Sequence, residues 1–422
     1  MKLFHRFLFL CLPVAASLLH AANPAFDQFV EQFADDWMRA SPLQATTAQY
    51  FSGADQDALD RKLNFVALDP VERARRVAAA KDGLRDLRKF SVSELSPVQR
   101  TSQSVVTWAL NDFIRADGVV EQGFVFEQFR GLQVTLVNFL SQTHPVRNSR
   151  DVENYLVRLA QVTPLLDQGL AEAKKRAALG VIPPTFILKS TIDGIDRFLE
   201  PEVPKNVLVA SLDERAEQVE AISPAARAGA VAAAEKLVKD DVIPAFRRIR
   251  ALLVEQMKVS TDDAGLWRLP RGAEAYAAAL STNTTTNLTP DEVHALGLRE
   301  VARIEKEMDG FLRQIGYNEG SVKDRYEKLL ADSQPPAEPD PRPALLGTFE
   351  QIVRDAERRA ETAFDLRPKA PLVVKREPAF TEESAAAHYT VPAPDGSRPG
   401  VFWAPLPGPT FNSLGMRTLA YH

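Results

Sequence analysis

Residues 151–180 read DVENYLVRLAQVTPLLDQGLAEAKKRAALG, and this stretch decides the fold. Its apolar positions Val152, Tyr155, Leu159, Val162, Leu166, Leu170 and Ala173 alternate three and four residues apart, the spacing that lines one face of a helix. Gly180 and the following Pro183-Pro184 end the run, which predicts one long core-facing helix, with a kink at Pro164. The same period recurs outward from it. Phe29, Phe33 and Trp37 give a helix that Ser41-Pro42 breaks, and residues 71–90 and 97–115 give two more, the second opened by Ser96-Pro97. An Ala-rich stretch from 224 to 257 continues the pattern with a bend at Pro244.

The clearest helix start is Thr289-Pro290-Asp291-Glu292, in which threonine caps, proline takes the first helical position and glutamate completes a capping box. Val293, Gly297, Val301, Ile304, Met308, Phe311 and Ile315 then form one stripe, closed by Gly316. Five prolines between 333 and 343 exclude a helix and mark an extended connection. Another helix follows near 345–364. Leu372–Lys375, His388–Val391 and Val401–Trp403 then read as short strands around an Asp395-Gly396 turn. The prediction is a mainly α protein with a small sheet or hairpin near 370–405. Its segments are a signal peptide at 1–21, a helical domain at 22–332, the Pro-rich connection at 333–343, and a catalytic-type portion at 344–422.

A formal charge of −5 and a pI near 5.8 provide no basic field for nucleic acid. Lys2 and Arg6 precede an apolar run from Phe7 to Leu19 that is too short to span a bilayer, and Ala21 or Ala22 offers a cleavage site. This predicts export to the periplasm or beyond, with no membrane span after signal removal. Cys11, the single cysteine, would leave with the leader; Phe9-Leu10 before it argues against a lipid anchor there. A cysteine nucleophile and a cysteine metal site are thereby excluded for the mature chain.

Four histidines remain for chemistry. His144, before Pro145, reads as a polar-turn residue; His294 as a cap-proximal or core residue; His388 as a strand-edge surface residue. No H-E-x-x-H, G-x-S-x-G, P-loop or G-x-G-x-x-G motif occurs. His422 differs because Leu419-Ala420-Tyr421-His422 sits in a nascent helix, the setting of a zinc-binding helix, which predicts His422 as a metal ligand. On this reading the chain is the front portion of a larger protein.

Leu266-Trp267-Arg268-Leu269-Pro270, Thr289-Pro290-Asp291-Glu292-Val293-His294, Gly180-Val181-Ile182-Pro183-Pro184 and Asp395-Gly396-Ser397-Arg398-Pro399-Gly400-Val401-Phe402-Trp403 together resemble the bacterial family catalogued as domain of unknown function 885. The resemblance implies a secreted or lipid-anchored helical protein related in architecture to helical zinc carboxypeptidases. In that family the pattern runs on from the Leu-Ala-Tyr-His equivalent into H-E-x-x-P-G-H-H. It implies zinc-dependent peptide hydrolysis for the complete parent, with His422 as one zinc ligand and no zinc bound by this chain alone. Tyr389, Phe402 and Trp403 are the candidate contacts to a peptide substrate, paired by strand addition. The rival reading is a non-catalytic secreted helical binding module; a third is a truncated product without activity.

Overall fold

The computed structural model describes residues 22–333, 339–378, 381–383, 385–393, 396, 398–406, 408 and 413–422. The expected signal peptide, Cys11, Asp395 of the expected turn and much of the Pro-rich connection lie outside the described residues. Helices α1 (Pro24–Arg39), α2 (Pro42–Ala48), α3 (Gly53–Asp60), α4 (Pro70–Leu87) and α5 (Pro97–Asp117) open the chain. Local capping sets their starts. The Asn23 side chain accepts from two N–H groups of α1, and Ser96 and Gln99 close a reciprocal capping box on α5. Phe26, Leu84, Leu87 and Leu110 bury one small core between α1, α4 and α5.

The main core is built by α6 (Leu132–Asn138), α7 (Ser149–Ala178), α8 (Thr185–Leu199), α9 (Val207–Glu217), α10 (Pro224–Leu237) and α11 (Ile243–Met257). The α7 stripe is buried as its spacing requires, and the helix passes through Pro164 without interruption. Between α10 and α11 the bend expected at Pro244 takes a specific form. Residues 238–242 widen into a π-turn just before the proline, where a ring without an N–H cannot continue the α-helical ladder. Helices α12 (Gly272–Thr284), α13 (Pro290–Gln314) and α14 (Val322–Asp332) follow. The α13 capping box forms as read, and Gly316, at φ +94°, supplies the left-handed residue that ends the helix.

Arg158 of α7 is fully buried and ties the early helices to the core. Its Nε donates to the Lys62 carbonyl at 3.0 Å, and its Nη2 donates to the Leu59 carbonyl at 3.0 Å and to the Thr46 hydroxyl at 2.6 Å. The Thr46 hydroxyl in turn donates to Asp60 at 2.5 Å, and Gln56 donates to the same carboxylate at 2.8 Å. Burial brings the guanidinium down to about 10, so it stays charged at neutral pH.

The last unit contains α15 (Arg342–Ala360), β1 (Leu372–Arg376), β2 (His388–Thr390), β3 (Gly400–Ala404) and α16 (Met416–Tyr421). The strands form one sheet in the order β1-β3-β2, with β3 parallel to β1 and antiparallel to β2. Two arginines fasten it to the helical body. Arg398 donates to the backbone carbonyls of Thr47 (2.8 Å), Thr143 (3.4 Å) and Val391 (3.0 Å), and Arg197 of α8 pairs with Glu383 at 2.8 Å.

Candidate functional site

Side chains of a strand alternate between faces, so the register sorts the sheet residues. Phe402 and Ala404 face α15 and α16, where Phe402 meets Phe349 at 5.3 Å between ring centroids and Met416 completes the small core. Trp403 points to the opposite face. It is buried, donates from Nε1 to the Thr390 hydroxyl at 2.9 Å and stacks with His388 at 6.2 Å. Both Phe402 and Trp403 therefore belong to the packing of the central strand. Tyr389, opposite Phe402 on β2, is 52% exposed and is the one of the three aromatic candidates that offers its side chain to solvent. Its ring lies over Gly400, where any Cβ would collide with it.

The two sheet edges differ. On β1 the Leu372 carbonyl already accepts from Arg354 of α15 at 2.8 Å. On β2, Tyr389 and the adjoining Val391 stand exposed. Behind β2, the Nδ1 of His388 lies 3.1 Å from the Ala386 carbonyl and 3.8 Å from Oε2 of Glu377. Glu377 is buried; its other oxygen accepts from the Thr381 hydroxyl at 2.7 Å, while Oε2 has no hydrogen-bond partner among the described residues. Burial pushes this carboxyl up. Neighbouring Glu382 is pushed the same way by burial, but two hydrogen bonds from Arg376 and one from the Leu406 N–H outweigh it and hold the carboxyl below its usual range.

His422 caps the C-terminal end of α16, its N–H donating to the Thr418 carbonyl at 3.0 Å, and its side chain is exposed. The helix beneath it is held by Asp355 of α15. That carboxylate accepts from the Tyr421 hydroxyl (2.7 Å), Arg417 (3.0 Å) and Arg359 (2.9 Å), and the tyrosine bond chiefly keeps it below the ordinary carboxylate range. Asp355 and Glu377 escape sequence reading because neither lies in a motif; Asp355 acquires its role from Arg417 and Tyr421, more than sixty residues on, and Glu377 from its burial.

The remaining histidines scatter. His388 sits at the exposed strand edge, as expected, and His294 is exposed on α13, near its cap and outside any core. His144 departs from its polar-turn reading. It is buried, with Nε2 at 3.0 Å from the Asp151 carbonyl and Nδ1 at 2.8 Å from Arg158. A carbonyl only accepts, so Nε2 carries the hydrogen and Nδ1 receives one from the arginine. Among the described residues no three His, Cys, Asp or Glu side chains stand together as metal ligands.

These features define a mainly helical protein in which a small mixed sheet, a bracing helix and the helix bearing His422 form one packed unit. The chain belongs to the family described as bacterial protein of unknown function (DUF885), whose profile it matches over residues 42–422. Two solved structures share the fold. One, described as "the putative lipoprotein from Colwellia psychrerythraea", superposes with a TM-score of 0.79 at 21% identity, over 93% of this chain and 70% of that one. The other, "a putative lipoprotein of unknown function" from Shewanella oneidensis, gives 0.56 at 15% identity, over 95% and 68%. Among curated proteins no match was found.

Proposed function

We propose that the chain acts outside the cytoplasm as the peptide-holding portion of a zinc-dependent peptidase. The carrying observation is the outer edge of β2, which no strand among the described residues pairs and where Tyr389 and Val391 stand exposed, in the same packed unit as α16. An extended peptide can add to such an edge through main-chain hydrogen bonds, with side-chain contacts supplying preference. The description of both structural neighbours as lipoproteins supports an extracytoplasmic setting; no helix in the described residues is long and apolar enough to cross a membrane.

Zinc does not fit the residues present. A catalytic site takes three protein ligands, and His422 offers one. No step is therefore assigned to a metal. The same observation favours a second reading, a non-catalytic binding module that uses the same edge.

Fluorescence anisotropy with fluorescein-labelled extended octapeptides tests the edge. Tyr389→Ala or Val391→Asp should weaken binding at least fivefold, and N-methylation of alternate peptide amides should abolish it. Binding indifferent to N-methylation refutes strand addition. Calorimetry with zinc should show no stoichiometric binding; binding that disappears in His144→Ala or His388→Ala would place a metal site elsewhere.

A further inference from the structure

Helix α13 carries a seam that the described residues leave largely uncovered. Gly297, Val301, Ile304, Met308, Phe311 and Ile315 recur at alternating four- and three-residue intervals, the 3.5-residue period of a coiled-coil helix. A soluble helix normally turns such a stripe to the core. Here Val301, Ile304, Phe311 and Ile315 are 45–64% exposed, and Leu296 and Leu298 beside them are exposed as well. Contact with α14 is concentrated at the far end, where Leu312 is buried and Arg325 pairs with Asp309.

We infer that this face of α13 is the docking site for a partner helix with an apolar heptad seam flanked by lysine or arginine. The inference does not rest on the peptide-binding reading above. The period selects a helix, because knobs-into-holes packing requires that repeat and an added strand does not. The charges select its flanks. Glu300 and Glu307 border the seam, bridged by Arg303, and α13 as a whole carries six acidic residues against four basic ones. A second copy running antiparallel would bring Glu300 of one helix toward Glu307 of the other, and an anionic membrane would be repelled.

The probes are two synthetic four-heptad peptides with leucine at both seam positions, one with lysine and one with glutamate at the flanking positions. Anisotropy with the full chain should show the lysine peptide binding 1:1 and at least tenfold tighter than the glutamate peptide, and weakening as salt rises. Hydrogen exchange should show protection confined to about residues 294–315 on binding. Ile304→Asp and Phe311→Asp, both at exposed positions and checked for intact helicity by circular dichroism, should each reduce binding at least tenfold, whereas Leu366→Asp, 89% exposed elsewhere, should not. Equal affinity for the two peptides, or no binding, overturns the inference. So does a dimer of the chain alone that Ile304→Asp dissociates, or protection of α13 only on phosphatidylglycerol vesicles.

Discussion

Arg158→Met provides the strictest test of how the early helices are held. Methionine fills much of the space but donates nothing, so the Lys62 carbonyl and Nδ1 of His144 each lose their donor, while the Leu59 carbonyl keeps the Lys62 N–H at 3.0 Å. An unsatisfied buried acceptor costs roughly 1–3 kcal/mol, which gives a gross loss of about 2–6 kcal/mol for the two. Two terms move against each other from there. The variant no longer desolvates a guanidinium, which returns part of the loss, but Asp60 remains buried without its cation, as when one partner of a buried pair is removed at about 3–5 kcal/mol. The expected net loss is about 3 kcal/mol, roughly a hundredfold in the unfolding equilibrium. Urea unfolding followed by tryptophan fluorescence at pH 7.5 measures it. In a double-mutant cycle with Asp60→Asn, the pair should lose at least about 1 kcal/mol less than the sum of the singles, because the two share one network through Thr46. A loss below about 1 kcal/mol, or an additive cycle, refutes the argument that Arg158 is the tie.

Burial first, and then the charge of Arg158, hold His144 well below its ordinary range. Between that lowered value and about 6.5 the unfolded chain binds a proton that the folded chain refuses. Stability should therefore fall as pH drops below about 6.5, by up to about 1.4 kcal/mol per unit from this group, and His144→Gln should flatten that slope in urea midpoints taken from pH 8 to 5. Gly169 of α7 has no room for a methyl group, since a Cβ would stand 2.6 Å from Leu132 Cδ2 and 3.2 Å from Phe126 Cζ. Gly169→Ala should lower the melting temperature, with about 1–3 kcal/mol of overpacking outweighing about 1 kcal/mol of helix propensity. Gly229→Ala in α10, with open space around its Cβ, should raise it.

Features with local causes were legible in the sequence. The capping box at Thr289 needs only residues three apart, the helix start at Ser96-Pro97 only neighbours, and the α7 stripe only its own period. The strands were visible as short β-branched and aromatic runs, but their order was not. That β3 lies between β1 and β2, and so buries Phe402 and Trp403, depends on its pairing with β1 across more than twenty residues. Short helices such as α2 and α3 carry too few turns to show a period. His144 misled because Pro145 signals a turn locally, while the partner that buries it, Arg158, lies a helix away. The α13 stripe was read correctly as a stripe, but periodicity identifies an apolar face without saying what meets it.

The clamp made by Arg398 has an evolutionary consequence. It joins the sheet unit to the helical body by gripping main-chain oxygens of Thr47, Thr143 and Val391, and every amino acid, proline included, supplies such an oxygen. Substitutions at those three positions leave the grip intact as long as the backbone stays in place. Only the arginine is constrained, since the single ammonium of lysine cannot reproduce the fixed planar fork of a guanidinium. A joint built this way lets the surrounding sequence drift far while the two parts keep their mutual position.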